Sequence, residues 1–291
     1  MNGSAEQHAA TFQQYHALLF SIAYRMLGSV AEAEDVLQDA YLRFQTAKLS
    51  EVESPKAYLS TIVTRLCLNV LESARARRES YVGTWLPEPV LTTADAGALS
   101  DEESISLAFL KLLENLTPLE RAVFLLHEVF DYDYADVARM LDRSEAACRK
   151  LFSRAKQYLS ENRPRFAASP AEHRRILEQF IQAASAGDLQ GLTELLVDDV
   201  TFWADGGGKV RGAALRPVHG RAAVARFVLS VTERFLPPNA RPAIGDVNGK
   251  PTLLIRQADG TPALVVSVGV ERGHITDIWA VANPDKLRGV A

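Results

Sequence analysis

Tyr134-Ala135-Asp136-Val137-Ala138-Arg139-Met140-Leu141, then Asp142-Arg143-Ser144, then Glu145 through Leu159 read as two short helices joined by a tight turn. In the second helix, Cys148, Leu151, Phe152, Ala155 and Leu159 recur at helical spacing and form one narrow apolar stripe. Arg149, Lys150, Ser153, Arg154, Lys156 and Gln157 occupy the rest of the cylinder. Between Asp142 and Arg165 there are seven basic and three acidic residues, a local +4. Cys148 on the stripe reads as a small core residue.

An apolar face that seats a helix on its scaffold, with donors on the opposite face, is the layout a helix-turn-helix needs to meet bases and phosphates. An ordinary amphipathic helix with a solvated basic face has the same pattern, so the motif alone leaves both readings open. The whole chain of 291 residues carries 32 basic and 36 acidic side chains, a net charge of −4. That excludes a uniformly basic nucleic-acid coat but not local basic patches. With 47% hydrophobic and 23% charged residues, the chain has the composition of a folded protein with real cores. Two cysteines, Cys67 and Cys148, make no disulfide framework and suit a reducing compartment. No signal peptide is visible at the N-terminus, and no apolar run is long enough to span a membrane. A cytoplasmic location is expected.

Upstream, residues 11–80 read as consecutive helices. Ser29 and Glu32 have capping-box spacing, and Val36, Leu37, Ala40, Tyr41 and Phe44 form the stripe of the helix that follows. That helix is acidic, with Glu32, Glu34, Asp35 and Asp39 against Arg43 alone. The next, from about Lys56 to Arg78, is basic, with Arg65, Arg75, Arg77 and Arg78 against Glu72. Opposite charge on two helices suits two partners of opposite charge. Acids early and arginines late also fit simple complementarity to helix dipoles.

Periodicity fails over 81–100, which holds Gly83, Pro87, Pro89 and Gly97 and reads as a linker. Within it, Trp85-Leu86-Pro87-Glu88-Pro89 places a tryptophan where solvated linkers rarely have one. It is either tucked onto the nearest domain or a docking segment for another part of the chain. Helices resume from about 102 to 160, with Thr117-Pro118-Leu119-Glu120 as a start signal. After a second linker near 161–172, helices are expected at 173–186, 188–197 and 220–235. Strands follow from their β-rich composition at 199–204, 251–258, 262–271 and 274–282, separated by Asn248-Gly249, Asp259-Gly260 and Arg272-Gly273 turns. The expectation is an α+β domain with an antiparallel sheet, and three domains in all.

Taken together these residues resemble a known family. Ala33 through Arg43 looks like the core-binding helix, region 2, of bacterial RNA polymerase sigma factors. Ser54-Pro55-Lys56-Ala57-Tyr58-Leu59 with Thr61 to Arg78 resembles the promoter −10 helices, and Thr117 to Leu159 resembles region 4, which reads the −35 element. The absence of other sigma regions points to the extracytoplasmic-function class. Trp85 to Pro89, Asp205-Gly206-Gly207-Gly208-Lys209 and Asn283-Pro284-Asp285-Lys286-Leu287 resemble the signatures of a subgroup with a fused SnoaL-like extension. The implied fold is multidomain: two all-α sigma domains, at 1–80 and 101–160, and a C-terminal α+β cone of the nuclear-transport-factor-like kind at 173–291.

The resemblance implies that Glu34, Asp35, Gln38 and Asp39 dock on the β′ clamp helices of core polymerase, with region 4 near the β flap. It places Arg65, Asn69, Arg75, Arg77 and Arg78 on −10 DNA. It places Ser144, Arg149, Lys150, Ser153, Arg154 and Lys156 on −35 DNA, where arginine can pair with guanine in the major groove. Trp85, Leu86 and Pro87 are expected to meet Asp205 to Lys209 and Asn283, Pro284 and Asp285 in cis, since the subgroup lacks the usual separate membrane anti-sigma factor. No catalytic residue, cofactor or metal is expected: the six histidines have no ligand spacing, and Asp205 to Lys209 lacks the P-loop pattern. The alternative is a small-molecule enzyme or ligand sensor tethered to a DNA-binding module. In that case Asp205 and His219 would serve a C-terminal pocket and its unidentified ligand.

Overall fold

The computed structural model describes residues 2–79, 81–92, 106–162, 168–236 and 239–290. They divide into two compact units, one of 2–79 with 109–162, the other of 81–92 with 106–108 and 168–290. The two helical segments expected as separate domains thus form one unit, and residues 81–92 belong to the other. Residues 93–105 and 163–167 of the two expected linkers lie outside the described residues.

In the first unit, α1 (Asn2–Leu27), α2 (Val30–Gln45) and α3 (Pro55–Glu79) pack on one another. Ser29 caps α2, its hydroxyl accepting from the Glu32 amide at 3.2 Å. Val36, Leu37, Ala40 and Phe44 are buried as the stripe requires, while Tyr41 is half-buried edge-on to Phe12. α1 starts at Asn2, earlier than the expected Thr11. His8, within that extension, is buried with its Nε2 2.9 Å from the Ala47 carbonyl.

The unit continues through α4 (Leu107–Leu113), of which 109–113 belong here, and α5 (Pro118–Phe124), which passes into a π-helical turn, Leu125–Val129. Thr117 completes the capping box of α5, accepting from the Glu120 amide at 3.3 Å while its own amide donates to the Glu120 carboxylate at 3.1 Å. α6 (Tyr134–Leu141) and α7 (Glu145–Asn162) follow. Polar bonds tie the two helical segments together. Ser60 Oγ and Tyr132 Oη lie 2.8 Å apart, and buried Arg121 donates to the carbonyls of Leu113 at 2.9 Å and Met26 at 2.6 Å.

The second unit holds α8 (Pro170–Ala186), α9 (Leu189–Leu195) and α10 (Arg221–Phe235). Its strands are β1 (Leu196–Asp205), β2 (Val218–His219), β3 (Arg241–Val247), β4 (Lys250–Arg256), β5 (Pro262–Glu271) and β6 (His274–Val281). They form one sheet in the order β2-β1-β6-β5-β4-β3. The wholly antiparallel expectation is corrected: β1 pairs with β6 in parallel, because the chain returns from β1 by way of α10 and a three-strand meander. β2 and β3 were not foreseen. β3 contains Pro242, Gly245 and Asp246, poor strand formers, and is made a strand by its pairing with β4 at the sheet edge. Two of the expected turns close two-residue hairpins with both residues left-handed, Asn248-Gly249 at φ 51° and 70° and Arg272-Gly273 at φ 51° and 78°.

Alternation along the strands sorts the sheet into two faces. Phe202, Leu253, Ile255, Val266, Ile278 and Ala280 join Ile176, Phe180 and Val224 of the helices in the main core. Leu254, Val265, Trp279 and Val281 face the other way and are covered by Leu86 from the 81–92 segment and by Leu287 and Val290 after β6.

Candidate nucleic-acid interface and the linker clamp

The 134–159 segment is a helix-turn-helix. The Asp133 carboxylate caps α6 through the Asp136 amide at 2.7 Å, and Asp142, left-handed at φ 53°, ends it. Ser144 Oγ then caps α7 by accepting from the Ala147 amide at 3.2 Å. Cys148, Ala155 and Leu159 are buried beneath α7, and Leu151 and Phe152 are half-buried. Burial pushes the Cys148 thiol up, so it stays protonated and structural. Ser144, Arg149, Lys150, Ser153, Arg154 and Lys156 are all exposed. Arg149 pairs with Glu145 at 2.9 Å and lies 4.3 Å over the Tyr134 ring, and Lys156 pairs with Glu128 at 3.2 Å. Among the described residues, Lys150 and Arg154 form no ion pair and present their charge outward.

On α2, Glu34, Asp35, Gln38 and Asp39 are exposed opposite the buried stripe. Leu42, 56% exposed, stands beside them at helical spacing from Asp35 and Gln38. The sequence reading missed Leu42; an apolar residue outside its stripe was the available signal. On α3, Asn69 is exposed. The side chains of Arg75, Arg77 and Arg78 lie outside the described residues. Arg65 is already engaged: its Nε donates to the Met140 carbonyl at 2.8 Å and its Nη2 to the Arg139 carbonyl at 3.2 Å, at the C-terminal end of α6. A cation there satisfies free carbonyls and complements the helix dipole.

The second unit brings together the three stretches carrying Trp85, Asp205 and Asn283. Asp205 is fully buried. One carboxylate oxygen accepts from the Tyr81 hydroxyl at 2.5 Å and the Gly207 amide at 3.1 Å. The other accepts from the Leu86 amide at 2.9 Å and Lys286 Nζ at 2.8 Å. Lys286, 7% exposed, also donates to the Leu86 carbonyl at 2.5 Å, and its ammonium sits 3.8 Å from the centre of the Trp85 ring. Asn283 donates to the Tyr81 hydroxyl at 2.9 Å and accepts from the Asp285 amide at 3.2 Å. Burial, then the hydrogen bond to Asp205, pushes the Tyr81 phenol up, so it remains a donor. Leu86 and Pro87 are buried, Trp85 is half-buried, and Pro284 opens a 3-10 turn that presents Lys286.

The glycine run has a steric cause. Gly207 at φ 58° and Gly208 at φ 70° are left-handed, and a Cβ on Gly207 would lie 2.5 Å from the Asn283 amide nitrogen. Gly206 begins the turn, accepting from the Lys209 amide at 2.9 Å. Lys209 reaches Asp285 at 2.5 Å in an exposed pair of little energetic weight. Further along, the segment adds to the β3–β4 hairpin: Asn248 exchanges bonds with Val90 at 2.8 and 3.0 Å, and the Thr92 amide donates to Asp246 at 2.9 Å. Tyr81, Lys286 and Asn248 were missed. Lys286 lies within Asn283-Pro284-Asp285-Lys286-Leu287, and Asn248 has the signal of a turn residue only.

The pocket expectation for Asp205 and His219 is corrected. A cavity of about 610 Å³ opens on the helix-covered face, lined by residues such as Phe180, Phe202 and Phe227, and neither Asp205 nor His219 lines it. Asp205 is turned to the other face, and exposed His219 lies 3.2 Å from Thr201 Oγ1. Among the described residues, no helix is long and apolar enough to cross a membrane.

Family models match the two helical segments separately. The model of sigma-70 region 2 matches residues 11–77, and that of sigma-70 region 4 matches 106–159. The extracytoplasmic-function sigma factor SigJ of Mycobacterium tuberculosis is 37% identical over 96% of this chain and 92% of its own. The probable extracytoplasmic-function sigma factor SigI of the same species is 31% identical over 96% and 94%. The crystal structure of SigJ superposes with a TM-score of 0.77 at 34% identity, covering 97% of this chain and 98% of that one. With likeness running the length of both chains, this protein belongs to the extracytoplasmic-function RNA polymerase sigma factors, which direct the polymerase to promoters.

Proposed function

We propose that this sigma factor is restrained in cis by its own C-terminal unit, which holds the 81–92 linker on the Asp205–Lys286 pair. The carrying observation is that a buried carboxylate of the second unit satisfies the backbone and side chains of the segment between the two promoter-reading modules. The functional division follows boundaries near 80, 100, 160 and 172.

In this reading Glu34, Asp35, Gln38 and Asp39, with Leu42, meet the β′ clamp helices. Complementary charge there serves rate and orientation of docking. α7 enters the −35 major groove through Arg149, Lys150, Ser153, Arg154 and Lys156, with Ser144 at its start. α3 serves the −10 element through Asn69, Arg75, Arg77, Arg78 and, once released, Arg65. Those elements are about 25 base pairs apart, roughly 85 Å of duplex. The longest helix in the first unit, 26 residues, spans roughly 39 Å. Helices bonded through Arg65 to Met140 cannot read both elements at once, so promoter engagement requires α3 and α6 to part. A linker free to extend supplies roughly 3.4 Å per residue towards that span. One held on the sheet does not.

The C-terminal unit thus acts by binding rather than by chemistry, in the cytoplasm where polymerase and DNA meet. Run-off transcription with core polymerase tests this, comparing the full chain, a form ending before Asn283 and a form ending at residue 165. Loss of the tail should raise promoter-specific transcript several-fold. Equal transcript from all three forms would refute restraint in cis while leaving the family assignment intact.

A further inference from the structure

The cavity on the helix-covered face has a chemistry that neither the sigma activity nor the restraint explains. Its volume, about 610 Å³, lies within the roughly 300–1,000 Å³ of small-molecule sites. It runs between α8, α10 and the sheet, and its depth is apolar, with Phe180, Phe202, Leu253, Ile255 and Val266 all buried. Interiors are ordinarily close-packed, so an apolar space of this size is a departure that a bound apolar molecule would fill.

Its rim is different. Arg211 is exposed there and, among the described residues, makes no ion pair or side-chain hydrogen bond. Ser185, Thr232, Gln257 and Thr261 complete the polar part of the lining. No aspartate, glutamate or histidine lines the cavity among the described residues, so nothing there balances the guanidinium. We propose that the cavity is the site of an apolar carboxylic acid, its hydrocarbon body between α8, α10 and the sheet and its carboxylate on Arg211. A guanidinium meets a carboxylate through two parallel hydrogen bonds, which fixes which end of the ligand faces solvent. A neutral apolar molecule leaves that cation unused, and a cationic amphiphile meets it with like charge.

The test is calorimetric titration of the full-length protein with dodecanoate, below its micellar concentration, beside 1-dodecanol and dodecyltrimethylammonium. Saturable binding of one dodecanoate per chain is expected, at least tenfold tighter than either comparison compound. Arg211→Gln should weaken dodecanoate about tenfold or more and leave dodecanol unchanged. Ala184→Trp, which fills the cavity from α8, should abolish binding in a protein whose thermal melt shows it folded, and Thr232→Trp from α10 repeats the block independently. Absence of saturable binding, equal affinity for dodecanol, or undiminished binding to both folded tryptophan variants would overturn the proposal. Because binding is read directly, its failure is separate from any failure of restraint in cis.

Discussion

The two faces of the C-terminal sheet meet opposite fates. On one, α8 and α10 leave an apolar cavity with Arg211 at its rim. On the other, the chain's own linker and tail cover the apolar side chains and bury an ion pair to do so. A face closed by its own sequence is a contact that can be made or released. A face left open keeps room that the chain itself does not fill. The tail belongs to both, since Leu287 and Pro284 line the cavity while Lys286 and Asn283 hold the linker.

The contrast breaks most severely if one half of the buried pair is removed. Lys286→Ala leaves the Asp205 carboxylate buried and short of a cation, and removal of one partner from such a pair costs about 3–5 kcal/mol. Chemical denaturation should show that loss in the unfolding of the C-terminal unit, together with proteolytic cleavage between residues 81 and 92. A loss below about 1 kcal/mol would mean the closed face is held by apolar packing alone. Leu86→Ala probes that packing. Leu86 is 1% exposed, and truncating a buried leucine costs about 3 kcal/mol. Truncating half-buried Ile181, which already borders the cavity, should cost less than half as much in the same assay.

A pH effect comes next and belongs to the helix-covered face. Burial, and after it the charge of Lys250, pushes His173 on α8 down to about 4 from an ordinary value of 6.5. Between those values the unfolded chain takes up a proton that the folded one refuses. Stability is therefore full above pH 6.5 and falls as the pH drops towards 4, by about 3 kcal/mol in total. His173→Phe should flatten that part of a stability–pH profile. An unchanged slope would assign it to other groups.

Much of this was legible in the sequence, for identifiable reasons. The helix-turn-helix, its Asp142-Arg143-Ser144 turn and the Thr117 capping box follow local rules, and local rules are written in adjacent residues. The glycine-marked hairpins were legible for the same reason. β3 was not, because its Pro242 and Gly245 oppose strand formation and only pairing with β4 overrides them. The meeting of Trp85, Asp205 and Asn283 was expected from resemblance, but its chemistry was not. Lys286, Tyr81 and Asn248 act across separations of 81, 124 and 158 residues that no periodicity reports. Arg65 shows a complementary limit. Its charge was plain, but its bonds to the Met140 and Arg139 carbonyls depend on where α6 folds.

The smallest effects sharpen the comparison most finely, by adding carbon to each face in turn. Gly207→Ala puts a methyl in a left-handed backbone and against Asn283, 2.5 Å away, on the closed face. Strain of that kind costs about 1–2 kcal/mol, and here it also pushes on a side chain that holds Tyr81. Ala184→Leu adds three carbons to the open face, at a helical position bordering empty apolar space. Filling such a space is neutral or stabilising by up to about 1 kcal/mol. Thermal denaturation of the two variants side by side should therefore move in opposite directions, although the second adds the larger group. If Ala184→Leu destabilises as much as Gly207→Ala, the cavity is not free space and the two faces are packed alike.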